Sequence, residues 1–200
     1  MIEASFTRKI GELVLRGEMA EGGLIHLTGE NGSGKTTFLR CLAGFMRVDS
    51  GTVKVNDEDL TMIPARLRRI VYINQNTYFD HMTVEDHLHW PLKLVEERDR
   101  EDIESLREIF SINYSGKLSK LSLGQKLRVA MATGFIRKPR VILLDETMSN
   151  ISQSEELLES IRKMAGRMSI DVIYVTQDGA EREVADHKYT LHSGTMKKLF

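Results

Sequence analysis

Gly29, Gly34, Lys35 and Thr36 fall at the spacing G-x-x-x-x-G-K-[ST] within Gly29-Glu30-Asn31-Gly32-Ser33-Gly34-Lys35-Thr36-Thr37, a spacing suited to binding phosphate. Glycines let backbone N–H groups turn inward and approach an anion with no Cβ in the way. Lys35 adds a mobile point charge for β- and γ-phosphates, and the Thr36 hydroxyl can ligate Mg²⁺. Leu24 to Thr28 reads as a short buried strand, and Thr37 to Leu42 as the start of a helix with an apolar face. The helix adds orphan N–H groups and the positive end of its dipole. A Gly-rich strand-to-helix turn with an incidental lysine would carry the same letters. The strand-loop-helix context favours the phosphate site, and the expected ligand is a nucleoside triphosphate.

Asp145-Glu146 directly follows the apolar run Val141-Ile142-Leu143-Leu144. Acids at the C-terminal end of a central strand lie where open α/β sheets bind ligands. Asp145 can hold Mg²⁺ beside Thr36, and Glu146 can orient and deprotonate an attacking water. The plainer alternative is a capping acid at the start of a loop. A third cluster, Leu121-Ser122-Leu123-Gly124-Gln125 with Arg128 beyond it, precedes a helix. Its Ser122 hydroxyl, unhindered Gly124 N–H and helix N-terminus suit an anion, although Ser-x-Gly before a helix is also ordinary N-cap chemistry. One triphosphate gives a chain no use for two anion sites. Two facing chains, each closing over the other's nucleotide, would use both.

The elements that position these groups follow from the pattern. Residues 2–7 and 12–16 read as strands broken around Lys9-Ile10-Gly11, and Thr52 to Asn56 and Val71 to Ile73 as further strands. A helical pattern begins at Thr83, and a charged span of mixed sign from Glu96 to Glu108 reads as solvated helix. A helix from Lys126 to about Arg137, a helix over 154–167, a strand over 171–176, a short helix over 180–185 and a hairpin over 188–199 complete the chain. This alternation predicts an α/β fold: a P-loop NTPase core with a mostly parallel sheet, an antiparallel β portion at the N-terminus and an inserted helical subdomain. The expected division is one domain over 1–200, with an ATP-binding core at 1–77 and 131–200 and the helical subdomain at 78–130.

Composition narrows the function. With 28 basic and 29 acidic residues the net charge is −1, so no field for a polyanion exists and no nucleic-acid partner is expected. Cys41 is the only cysteine, which rules out an intrachain disulfide and points to a reducing compartment and a packed thiol. The first residues lack the charged and apolar regions of a signal peptide, and no apolar run approaches ~18 residues. The expected location is cytoplasmic.

Taken together, these stretches resemble the nucleotide-binding subunits of ATP-binding cassette (ABC) transporters, over nearly the whole chain. Gly29 to Thr37 is similar to the family's first loop, and Gln75 to its glutamine linking core to helical insert. Met82-Thr83-Val84-Glu85-Asp86 is similar to the opening of that insert, Leu121 to Gln125 to the signature Leu-Ser-Gly-Gly-Gln, and Val141 to Glu146 to the second acidic motif. The resemblance implies a Mg²⁺-dependent ATPase whose two subunits, identical or not, enclose two ATP head to tail and drive membrane-spanning permease subunits from the cytoplasmic face. It implies that residues 29–37, with Ser122 and Gly124 of the opposite chain, hold ATP; that Thr36, Gln75 and Asp145 serve the metal; and that Glu146, Gln75 and Gln177 serve hydrolysis. Phe6 corresponds either to the aromatic that stacks on adenine or to a core residue of the first strand. Tyr78, Phe79, Trp90 and Leu92 are candidate permease contacts, or plain core. The alternative implied is a soluble ABC-type ATPase, or a slow ATP switch, in a non-transport complex.

Four positions depart from the family pattern. Leu123 replaces the first signature glycine, Thr147 the proline after the acids, and Ser152 an aspartate. Gln177 replaces the histidine that meets the γ-phosphate, and it can donate an N–H but cannot become cationic. These changes leave binding intact and point to slow hydrolysis.

Overall fold

A computed structural model describes residues 1–94, 102–177 and 184–200. The strands are β1 (Ile2–Ile10), β2 (Leu13–Glu21), β3 (Leu24–Thr28), β4 (Ser50–Val55), β5 (Glu58–Asp59), β6 (Ile70–Ile73), β7 (Val141–Asp145), β8 (Asp171–Val175), β9 (His187–His192) and β10 (Thr195–Lys198). The helices are α1 (Lys35–Ala43), α2 (Val84–His89), α3 (Ile103–Ile109), α4 (Leu123–Ile136) and α5 (Ser154–Met168). Part of the expected charged helix over 96–108, and residues 180–183 of the expected short helix, lie outside the described residues.

One ten-stranded sheet runs in the order β5-β4-β1-β2-β10-β9-β3-β8-β7-β6. Strands β9, β3, β8, β7 and β6 pair parallel to one another, while β2, β1, β4 and β5 pair antiparallel. Every residue of β3, β7 and β8 is buried, as their unbroken apolar character requires of strands covered on both faces. Successive residues of β7 serve opposite sides. Val141 and Leu143 pack with α1 and the inward residues of β1, β2 and β4, whereas Ile142 and Leu144 pack with the helices of the other face.

The antiparallel portion is longer than the sequence suggested. β1 and β2 are nine residues each, and only a tight turn at Gly11-Glu12 separates Ile10 from Leu13. Apolar alternation fades after Phe6, but β1 stays paired with β2 as far as Ile10–Leu13, and Asp49 accepts from the Lys9 N–H at 2.7 Å and from Arg8 Nη1 at 2.6 Å. Helix α4 begins three residues earlier than Lys126. Ser122 accepts from the Gln125 N–H and the Gln125 side chain accepts from the Ser122 N–H, a reciprocal cap that starts the helix. The expected core boundary at 130 falls inside this unbroken helix.

The phosphate-loop helix is anchored at its far end by a buried arginine. Arg68 Nη1 donates to the carbonyls of Cys41 and Leu42 at 3.0 and 2.8 Å, where the negative end of the α1 dipole lies. Phe38 and Leu39 of α1 are fully buried, each burial being worth about 1.5–3 kcal/mol. Cys41 is fully buried beside them, and desolvation pushes its thiol up to about 11, so it is the packed thiol expected.

Candidate functional site

The loop after β3 is shaped by glycine. Gly29 has φ +147, and a Cβ there would stand 2.2 Å from the Leu191 carbonyl oxygen, so no other residue lets the chain pass β9 this closely. Gly34, at φ +110, is the N-cap of α1 and supplies no side-chain cap. The first N–H groups of α1 therefore face the loop with no capping oxygen from that residue. The loop's own backbone bond runs from the Ser33 N–H to the Glu30 carbonyl at 3.2 Å, and the Gly194 N–H donates to the Ser33 carbonyl at 3.2 Å. The β9–β10 turn thus buttresses the loop, a support the sequence did not reveal.

Lys35 is 4% exposed and its Nζ donates to the Gly29 and Glu30 carbonyls at 2.5 and 2.8 Å. Thr36 Oγ1 donates to Asp145 Oδ1 at 3.1 Å, which joins the start of α1 to the end of β7. Asp145 is 6% exposed, and its other oxygen accepts from Tyr72 Oη at 2.5 Å. Burial, and then the Asp145 carboxylate beside it, hold the Tyr72 phenol above its ordinary range, so it remains a donor. Tyr72 was not singled out in the sequence. Its signal lies in the register: Tyr72 pairs with Leu143, and residue 143 shares a strand face with 145.

Glu146 follows at φ +54, an uncommon backbone for a residue with a side chain. Its carbonyl accepts from Gln75 Nε2 at 3.3 Å, and its carboxylate has no hydrogen-bond or ion-pair partner among the described residues. Gln177 lies two positions past Val175, which pairs with Asp145, and is exposed. The structure therefore brings together residues 29–37, Asp145, Glu146 and Gln75, with Gln177 at the neighbouring strand end.

It does not bring Phe6, Ser122 or Gly124 there. Phe6 is 4% exposed and stacks on Phe38 with centroids 5.5 Å apart, so its ring packs in the core. Between the two alternatives for this residue, core packing is the one observed. Ser122 caps its own helix, and a Cβ on Gly124 would stand 2.6 Å from the Asn150 carbonyl oxygen. Leu123 is half-buried against the helical cluster, and the Ser152 carbonyl accepts from Arg128 Nη2 at 2.8 Å.

The donor set suits a magnesium nucleotide. One hydroxyl and one carboxylate 3.1 Å apart, beside a glycine-shaped loop, match a cation that takes few protein oxygens and completes its shell from phosphates and water. No group of three or more His, Cys, Asp or Glu placed to hold a metal ion occurs among the described residues.

A separate apolar groove of about 510 Å³ opens between β6, α2 and α4, with Tyr78, Phe79, His87 and Trp90 among its lining. Phe79 is 48% exposed, whereas Leu92 packs on the helical cluster. Thr133 Oγ1 lies 2.8 Å from both the Val129 carbonyl and His87 Nδ1, which ties the buried imidazole to α4. Burial pushes the His87 pKa down to about 4. His87 Nε2 and Trp90 Nε1 have no hydrogen-bond partner among the described residues.

Comparison with known proteins gives a consistent picture. The family model described as ABC transporter matches residues 14–149. The chain is 36% identical over 191 residues to the spermidine/putrescine import ATP-binding protein PotA of Thermotoga maritima, covering 91% of this chain and 52% of that protein. It is 31% identical to the sulfate/thiosulfate import ATP-binding protein CysA of Mycobacterium tuberculosis (strain ATCC 25618 / H37Rv), over 100% of this chain and 60% of that one. The chain thus spans only 52% to 60% of the length of these two relatives. Among solved structures, the dimeric ATP-binding cassette MJ0796 bound to ADP and Pi superposes with a TM-score of 0.79 at 20% identity, covering 100% of this chain and 99% of that one. That likeness shows the fold.

Proposed function

This chain belongs to the ABC transporter family, and from that premise we propose that it binds and hydrolyses Mg-ATP to power an import system. The observation that carries the reading is the Thr36–Asp145 hydrogen bond at 3.1 Å, which joins the phosphate loop to the acidic strand end with Glu146 next in the chain. Lys35 and the amides of residues 29–37 would hold the phosphates, and Thr36 and Asp145 would hold Mg²⁺, with Gln75 beside them. When bound, Mg²⁺ would neutralise phosphate charge. Glu146, whose carboxylate has no partner among the described residues, would take the proton of the attacking water. Gln177 would donate an amide N–H to the γ-phosphate.

A second cassette subunit, the same chain or a related one, would complete the site with its own Ser122 and Gly124. The dimeric state of the cassette neighbour supports a second subunit. The relatives' description as import proteins supports permease partners, and the helical segment over 78–130 with its apolar groove is the surface we assign to them. The chain would then lie on the cytoplasmic face of the membrane. No helix among the described residues is long and apolar enough to cross it.

Calorimetry with Mg-ATP tests the site. Lys35→Ala removes a charge-assisted contact worth about 1.5–3 kcal/mol, so its affinity should fall roughly ten- to hundredfold. Equal affinity in mutant and wild type would rule out this loop.

A further inference from the structure

The metal-side carboxylate is held at both oxygens, and only one of its partners belongs to the phosphate loop. Tyr72 Oη donates to Asp145 Oδ2 at 2.5 Å while Thr36 Oγ1 meets Oδ1. The direction is unambiguous, because an ionised carboxylate only accepts. Phe45 packs edge-on to the Tyr72 ring with centroids 5.7 Å apart, and the ring is partly buried in the α1-side cluster. One phenol carried on β6 thus holds the end of β7, with Phe45 from just beyond α1 against its ring.

From this geometry we propose that Tyr72 is a positioning residue for the divalent cation. By holding Oδ2 it fixes the carboxylate rotation, so that Oδ1 stays turned to the Thr36 hydroxyl. Without the hydroxyl the carboxylate turns about its Cβ–Cγ bond, a broad torsion with little intrinsic preference, and the hydroxyl–carboxylate pair loses its set geometry. The phosphate contacts do not depend on this bond, since they come from backbone amides and Lys35. Tyr72 therefore acts on cation affinity and not on nucleotide affinity. Partners that orient a metal-ligating group typically account for ten- to hundredfold in metal affinity.

The proposal rests on the Mg-nucleotide reading, and the experiment separates the two. Binding of a fluorescent ATP analogue is measured in EDTA, and Mn²⁺ binding to the protein–ATP complex is followed by electron paramagnetic resonance, for wild type and Tyr72→Phe. The expected result is a Mn²⁺ dissociation constant raised about tenfold or more in the variant, with metal-free analogue affinity and melting temperature nearly unchanged. Mn²⁺ affinities within twofold of each other would overturn the proposal and leave the nucleotide site standing. An equal loss of metal-free affinity would also overturn it, because Tyr72 would then be holding the loop and not the cation. Failure of the wild type to bind the analogue at all would overturn the nucleotide-site reading, and this proposal with it.

Discussion

Gly124, near the start of α4, lies so close to Asn150 that a Cβ would stand 2.6 Å from the Asn150 carbonyl oxygen. The glycine therefore has a reason to be there within one chain, before any second chain closes on it. The contact also joins the helical segment to the loop that follows Glu146.

Gly124→Ala separates these roles. Residue 124 is in the first turn of α4, so alanine gains less than the interior figure of about 1 kcal/mol, while it must push a backbone carbonyl aside at about 1–3 kcal/mol, leaving a net loss of about 1–2 kcal/mol. The nucleotide-free variant should melt about 2–8 °C below wild type. A melting temperature equal to or above wild type would show that the close approach does not constrain residue 124.

His87 makes stability depend on pH. Its pKa lies at about 4 in the folded chain, against 6.5 ordinarily, because burial disfavours the charged ring. As pH falls below 6.5 the unfolded chain takes up this proton and the folded chain does not, so stability drops until the folded pKa is reached. The loss approaches about 3 kcal/mol at pH 4. Urea unfolding of wild type and His87→Gln at pH 7.5, 6.5, 5.5 and 4.5 isolates this group, since other titrations are shared. The variant should lose less stability over that interval, whereas parallel pH curves would refute the assignment.

Much of the site was written locally. Nine contiguous residues, 29–37, carry the phosphate loop, and one apolar run followed by two acids carries β7 and its strand end. Strands β3, β7 and β8 were visible because strands buried on both faces are apolar throughout. What escaped depends on pairings far apart in the chain. The Tyr72–Asp145 bond requires knowing that β6 lies beside β7 in one register, and nothing near Tyr72 in sequence states it. The last residues of β1 escaped because Asp49, and not an apolar alternation, meets Arg8 and Lys9, and the second half of β2 because Gly17 interrupts its alternation while pairing with Phe6. Ser122 was open to two uses in the sequence, an anion site or an ordinary N-cap, and within this chain it caps α4 together with Gln125. Phe6 was left between two uses until the position of Phe38 decided it.

Gln177 limits the rate on this account. It sits past the end of β8, exposed, and can donate a neutral N–H from a longer and less firmly held chain than histidine. One well-placed donor to a developing oxyanion is worth about 10²–10³-fold in rate, and glutamine recovers only part of that. Gln177→His should raise steady-state turnover several-fold with little change in ATP affinity. Turnover unchanged or lower would refute the claim that this position limits the rate.

The central claim is that this chain hydrolyses Mg-ATP with Glu146 as the base. The direct measurement is phosphate release from Mg-ATP by purified wild type and Glu146→Gln, with size-exclusion chromatography of both in ATP. Glutamine keeps the size and a hydrogen-bonding oxygen of Glu146 but removes the base. The account predicts slow but measurable release by wild type, little or none by the variant, and an ATP-dependent dimer that persists in the variant. Equal turnover in the two proteins would contradict it.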